Sequence, residues 1–239
     1  MWQHVWLFYE KWDLFYSYTA SICNEIKDYI MTKTVEFFFD LSSPWTCLAF
    51  HNIQSTVIKT NTTIVWRPFL VGGVHNTVNE AFVDARANNI ASPKWQQLGQ
   101  SLKDWAALVG VPMNFPSKFH PLRSVHGMRF CCALEQDQQA LFRFATAGFE
   151  AYFSQQLNLD DPDVLVTLAN GIGLDGEDLR ECSQQQTIKD RLRANTDEAI
   201  SRGAFGSPSI FVPFGQGERL YFGNDQLPLV DWALNQTAS

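Results

Sequence analysis

Ser43-Pro44-Trp45-Thr46 is the stretch of this chain best suited to chemistry. It follows a short apolar run, Val35-Glu36-Phe37-Phe38-Phe39-Asp40, that predicts a buried β-strand over 35–40. After it, Leu48, Phe50, Ile53 and Val57 recur at helical spacing and predict a helix over 44–55. Ser at the N-cap with Pro at the first helical position is a common way to open any helix. The same arrangement sets a hydroxyl beside the positive end of the helix, where a thiolate carried by another molecule is bound and stabilised.

The elements that must position this hydroxyl follow a definite order. Residues 62–67 are β-branched, end at Pro68 and predict a second strand. Residues 35–68 therefore read as a β-α-β unit with a parallel pair and a right-handed crossover. Residues 69–93 hold Gly72-Gly73, Asn76, Asn79 and Pro93 with no clean period, and are expected to form a long loop with one helical turn. From Pro93 to Gly203 the pattern is helical. One stripe is Leu98, Leu102, Trp105 and Leu108; further helices begin near Val125, ahead of Leu141, at Asp161-Pro162, at Asp175 and at Thr187. A strand at 209–212, a turn at 215–217, a strand at 218–222 and a last helix capped by Asn224-Asp225 complete the chain.

The order β-α-β, helices, β-β-α predicts an α/β fold: a thioredoxin-like domain split by an all-α insertion. The expected division is an N-terminal aromatic-rich extension at 1–33, a discontinuous thioredoxin-like domain at 34–75 and 204–239, and a helical insertion domain at 76–203. In a disulfide enzyme of this fold, the outer positions of the x-Pro-x-x tetrapeptide are both cysteines. Here they are Ser43 and Thr46, and a hydroxyl carries no disulfide.

Composition narrows the function classes. The chain has 239 residues, 46% of them apolar, enough for a sizeable core. Its 18 Lys and Arg against 25 Asp and Glu give a formal charge of −7, and no basic cluster suits a nucleic acid. The five cysteines form no C-x-x-C and no zinc-site spacing, which points to free thiols in a reducing compartment, with Cys47 buried. Residues 1–30 hold two aromatic helical faces, broken by Glu10, Lys11 and Asp13. They suit a helix packed on this protein or a partner subunit, or a membrane-surface helix; Met31 as the natural start is a third reading. No apolar run has the length of an integral membrane span.

Four further features lie where a thiol-peptide site on this fold needs them. A cis Ser207-Pro208 bond before the third strand would present the Ser207 N–H and C=O sideways to a peptide, although a trans Pro is also permitted at a strand start. Backbone N–H groups at Asn224 attract a carboxylate and Asp225 holds an ammonium, which suits the amino-acid end of a γ-glutamyl group; ordinary capping is the plainer reading. Lys94 pairs with a second carboxylate or is solvated surface. Asn79 clamps a peptide backbone or serves a turn.

Taken jointly, these residues resemble the kappa-class glutathione transferase and 2-hydroxychromene-2-carboxylate isomerase family, with its DsbA-like fold, from about Val35 to Leu234. The resemblance rests on Phe39-Asp40-Leu41-Ser42-Ser43-Pro44, Trp66-Arg67-Pro68-Phe69-Leu70-Val71-Gly72-Gly73-Val74, Lys94, Lys103-Asp104-Trp105-Ala106, Gly110-Val111-Pro112, Asn114-Phe115-Pro116, Gly203-Ala204-Phe205-Gly206-Ser207-Pro208 and Phe222-Gly223-Asn224-Asp225. It implies glutathione as cofactor, Ser43 as the thiolate-activating catalytic residue, and glutathione contacts at Asn79, Lys94, Ser207 with Pro208, Asn224 and Asp225. Glu80 competes with Asn79 for the loop position. Thr46 stands where the family often has Ser, and Gln226 where it often has Arg.

The implied activity is a glutathione-dependent isomerase of an aromatic-catabolism intermediate, or a kappa-like transferase, acting on a small aromatic or electrophilic substrate. Candidates for the substrate wall are Phe69, His75, Trp95 and Phe115. Ser43 and Thr46 argue against a thiol-disulfide oxidoreductase, and a non-catalytic glutathione-binding or scaffold protein is a third class. A homodimer follows from the resemblance only. The C-terminal Thr237-Ala238-Ser239 carries no peroxisomal tripeptide, and a cytoplasmic location is expected.

Overall fold

The computed structural model describes residues 33–78 and 92–236. The expectations for residues 1–32, and those for Asn79 and Glu80, lie outside the described residues.

Four strands form one sheet in the order β2-β1-β3-β4. Strand β1 (Lys33–Phe39) alternates strictly: Val35, Phe37 and Phe39 turn to one face, Glu36 and Phe38 to the other. It neighbours β2 (Thr62–Pro68) on one side. On the other it pairs antiparallel with β3 (Ser209–Phe214), with Phe37 opposite Ile210. Strands β3 and β4 (Gly217–Phe222) form a hairpin in register from Ser209–Phe222 to Phe214–Gly217. Its turn passes through Gly215 at φ +59°, a conformation that glycine adopts without a steric penalty.

Helix α1 (Pro44–Lys59) covers the Phe37 face and runs four residues past the expected end, because Val57 continues its buried stripe. Phe50 on α1 lies 4.1 Å from Trp66 and stacks on Phe142 at 5.2 Å between ring centroids, while Phe37 and Phe39 meet Trp66 edge-on. Each fully buried ring of this kind contributes about 1.5–3 kcal/mol. The opposite face is a smaller core of Phe38, Phe69, Val74, Ala199, Ala204 and Phe211.

The loop expected at 69–93 contains a true helix, α2 (Val71–Val78). Tertiary contacts override its two glycines. The Asp40 carboxylate accepts from Val71 N at the first turn, Val74 enters the core, and a Cβ on Gly73 would lie 3.1 Å from Thr196 Cγ2.

Among the described residues six helices follow: α3 (Pro93–Val109), α4 (Val125–Ala133), α5 (Gln138–Phe149), α6 (Pro162–Gly171), α7 (Gly176–Gln184) and α8 (Gln186–Ser201). α5 ends in one π-helical turn, Glu150–Ser154. Asp137, Asp161 and Asp175 cap their helices through side-chain acceptance from Ala140 N, Asp163 N and Asp178 N. α3 buries Leu102 and Ala106, whereas Leu108, expected on its apolar stripe, is 74% exposed. The 3.6-residue period places Ala106, not Leu108, four residues beyond Leu102. The last helix, α9 (Leu227–Leu234), packs on α1 and β3. Among the described residues no helix is long and apolar enough to cross a membrane.

Candidate functional site

The turn between β1 and α1 is built on Asp40, which is fully buried. Its Oδ1 accepts from Ser42 N at 2.9 Å and Ser42 Oγ at 2.8 Å, an Asx turn, and its Oδ2 accepts from Val71 N at 2.9 Å. One carboxylate thus joins the entrance of α1 to the start of α2. Burial pushes the Asp40 carboxyl above its ordinary 3.8, while hydrogen bonds from Ser42, Val71 and Ser124 pull the other way.

Ser43 caps α1, and its hydroxyl is half-buried. Oγ accepts from Thr46 N at 3.2 Å and donates to the Ser207 carbonyl oxygen at 3.0 Å. The Ser207-Pro208 peptide is cis, as the sequence favoured. Ser207 Oγ accepts from Asp40 N at 3.1 Å and shares a 2.7 Å hydrogen bond with Thr46 Oγ1. Both outer positions of the tetrapeptide therefore hold the cis-proline loop through their hydroxyls, Ser43 at the Ser207 carbonyl and Thr46 at the Ser207 hydroxyl. Thr46 is fully buried by this, whereas Ser43 keeps an accessible side.

Asn224 is 1% exposed. Its Oδ1 accepts from Asn52 Nδ2 of α1 at 2.7 Å, and its own Nδ2 is buried with no hydrogen-bond partner among the described residues. Asn224 and Asp225 were expected to cap the last helix. Instead a 3-10 turn, Asn224–Gln226, precedes α9, and neither side chain makes a capping bond. Gly223 leads into this turn at φ +96°, with Asp225 Oδ1 so close that a Cβ there would lie 2.7 Å away. Asp225 itself is exposed.

The structure thus brings Ser43, Ser207 and Pro208 into one cluster and joins Asn224 to the same helix α1. Lys94 stands exposed on the first turn of α3, which packs on α1 through Leu102 and Ala106 against Leu48. Among the described residues no hydrogen bond joins Lys94 or Asp225 to the cluster. Asn79 lies outside the described residues.

The proposed wall is revised in part. Phe69 is fully buried in the smaller core and lines no open surface. His75 sits on α2 rather than on a loop, half-buried; Trp95 and Phe115 are half-buried too. The exposed aromatics beside the cis-proline loop are Phe205 (43%) and Phe222 (37%), with ring centroids 4.6 Å apart. Gly206 makes room for this pair, since a Cβ there would lie 2.5 Å from Phe222 Cε2. The signal for them was the pair of aromatics flanking Gly-Ser-Pro and Gly-Asn-Asp. The role of Asp40 was missed, and the signal that could have found it is the Asp-x-Ser spacing of an Asx turn. Asn52 carried no signal, because its partner is 172 residues away in sequence.

Cys47 is buried and its thiol is pushed up to about 12, so it stays protonated. Burial also raises Cys131 and Cys132. None of these three thiols is placed to act as a nucleophile.

A family model for the DSBA-like thioredoxin domain matches residues 34–235. The chain is 27% identical over 205 residues to a 2-hydroxychromene-2-carboxylate isomerase of Sphingobium xenophagum, covering 84% of this chain and 97% of that protein. It is 25% identical over 202 residues to glutathione S-transferase kappa 2 of Caenorhabditis elegans, covering 83% and 90%. Among solved structures, that of a 2-hydroxychromene-2-carboxylate isomerase superposes with a TM-score of 0.67 at 20% identity, over 84% of this chain and 94% of the other.

Proposed function

This chain belongs to the DSBA-like thioredoxin domain family, and from that premise we propose that it is a glutathione-dependent isomerase of 2-hydroxychromene-2-carboxylate or a closely related aromatic acid. The observation that carries the reading is the Ser43 hydroxyl at the N-terminus of α1, bonded to the Ser207 carbonyl beside cis-Pro208 where a redox enzyme would hold a cysteine. The residues present fit a thiol tripeptide on one independent observation: Asn224 Nδ2 is a buried donor with no hydrogen-bond partner among the described residues.

Glutathione, when bound, supplies a thiolate able to add to and leave a conjugated carbon, so that a double bond becomes free to rotate. The protein's own residues set the conditions for that thiolate. The Ser43 hydroxyl would donate a hydrogen bond to the sulfur, and a hydrogen bond to a charged group is worth about 1.5–3 kcal/mol. The end of α1 adds only about 0.3–1 kcal/mol, so the hydroxyl is the larger effect. Ser43 has one proton, and the resting structure donates it to Ser207. A peptide N–H satisfies that carbonyl equally well, and the Ser43 O–H is then free to turn its hydrogen bond to the sulfur. Ser207 N–H and C=O pair with the cysteinyl backbone, Asn224 and Asp225 hold the amino-acid end, and Lys94 meets the glycyl carboxylate.

Ser43→Ala tests this reading. We expect the variant to fold, with its melting temperature within a few degrees of wild type. Its turnover of 2-hydroxychromene-2-carboxylate should fall about 10–100-fold, the rate equivalent of one lost charge-assisted hydrogen bond. Wild-type activity in Ser43→Ala rejects the role given to Ser43.

The second reading is a kappa-like transferase, favoured by the similarity to the nematode protein. The ultraviolet spectrum of 2-hydroxychromene-2-carboxylate separates the two. A glutathione-dependent spectral change supports the isomerase; no change, together with conjugation of a generic electrophile, supports the transferase.

A further inference from the structure

We propose that Asn52 of α1 is a positioning residue: by donating to Asn224 Oδ1 at 2.7 Å it fixes the Asn224 carboxamide so that Nδ2, buried and without a partner among the described residues, is the donor offered to a carboxylate oxygen of the ligand's amino-acid end. The proposal rests on the glutathione reading above and adds to it a residue outside the tetrapeptide, the cis-proline loop and the Gly223-Asn224-Asp225 turn.

A carboxamide has two faces. Turned one way it offers N–H donors, turned the other way an acceptor oxygen. Asn224 is 1% exposed, so water does not serve both ends equally. Asn52 Nδ2 satisfies only an oxygen, and its contact therefore selects the orientation in which Oδ1 faces α1 and Nδ2 remains. A buried donor without an acceptor is unfavourable, and native structures seldom keep one without a reason. A ligand acceptor is such a reason here. Asp225 next in the chain is exposed and negative, so the turn offers an N–H donor and a carboxylate side by side. That pair complements a group bearing both a carboxylate and an ammonium, as the γ-glutamyl end does.

The spacing is compatible with the sulfur lying at Ser43. Asn52 lies nine positions after Ser43, an axial rise of about 13 Å. Helical side chains lean toward the N-terminus, which shortens the span, and a three-residue chain reaches about 10 Å when extended. The amino-acid end therefore lies along α1, down the helix from the sulfur.

Asn52→Leu keeps the volume and removes the donor. Titration calorimetry with glutathione and with cysteinylglycine, which lacks the γ-glutamyl group, reads the effect. We expect the glutathione Kd to weaken about 10-fold, about 1.4 kcal/mol, with the cysteinylglycine Kd unchanged. At saturating glutathione kcat should hold while KM rises. Asn52→Asp, which offers an acceptor in place of the donor and turns the Asn224 amide round, should lose at least as much. Equal glutathione binding by wild type and Asn52→Leu, or equal weakening toward both ligands, overturns the proposal and leaves the glutathione reading standing. Wild-type protein that binds no glutathione at millimolar concentration overturns both.

Discussion

Asp40 spends its two carboxylate oxygens on Ser42 and Val71 while fully buried, and this combination sets a pH signature. Its native carboxyl lies above 3.8 because burial outweighs its hydrogen bonds. Between 3.8 and the raised native value, the folded chain holds a proton that the unfolded chain has released. The contribution of Asp40 to stability is thus complete below 3.8 and is lost as pH rises through the native value. Asp40→Asn has no proton to lose. Urea unfolding of both proteins should show the wild-type stability, measured relative to the variant, falling as pH rises from 3.8 toward neutrality. A difference that stays flat, or grows with pH, would contradict this account. The sequence pattern marks Asp40 only as the last residue of the first strand, although the Asp-x-Ser spacing carries the signal of an Asx turn. The burial of its carboxylate was not legible, because it depends on Val71 and Ser124 from two other elements.

At the scale of elements, local signals located most helices and long-range packing decided the exceptions. Asp161 before Pro162, and Asp175 three residues before Asp178, marked true N-caps because capping is a bond between near neighbours. Helix α2 was missed because its stabilisers, Asp40 and Thr196, are distant in sequence. The Asn224–Gln226 turn was missed because an Asn-Asp pair before an apolar run looks alike whether or not it caps. The meeting of α6 and α7 was equally invisible: a Cβ on Gly176 would lie 2.5 Å from the Val166 carbonyl oxygen, a backbone atom that cannot step aside. Helix propensity alone favours Ala over Gly by about 1 kcal/mol, yet the clash should win at this site. We expect Gly176→Ala to lose about 1–3 kcal/mol, which overpacking typically costs. Gly99→Ala in α3, where nothing lies within 4 Å, should gain stability instead. Thermal melts of the two variants moving in the same direction would refute the packing argument.

At the scale of the molecule, an ionic network centred on the buried Glu135 and the half-buried Arg67 ties the sheet to the helices. Arg67 of β2 meets Glu36 of β1 at 2.5 Å, Glu135 after α4 at 3.3 Å, and Glu198 of α8. Arg191 grips Glu135 with two bonds, and Arg202 joins Glu36, Glu198 and Glu218 of β4. The guanidinium of Arg202 also lies 4.0 Å over the Phe211 ring. Arg67→Gln should cost about 3 kcal/mol, the low end for breaking a buried pair, because each carboxylate keeps a second cation. Urea unfolding measures it; a loss under about 1 kcal/mol would mean that the network is no more than a surface set. None of this was legible beforehand, since charge counts say nothing of which charges meet.

The sealed sulfurs have a consequence for life in an oxidising episode. Cys47, Cys131 and Cys132 are shut inside the core and kept protonated, and desolvation, followed by the neighbouring Asp178 and Glu181, raises Cys182. On the proposed reading, peroxide would deplete the reduced tripeptide without trapping these core residues as mixed disulfides. Catalysis would stall with the pool and resume when the pool recovers, with no repair enzyme needed for the fold itself.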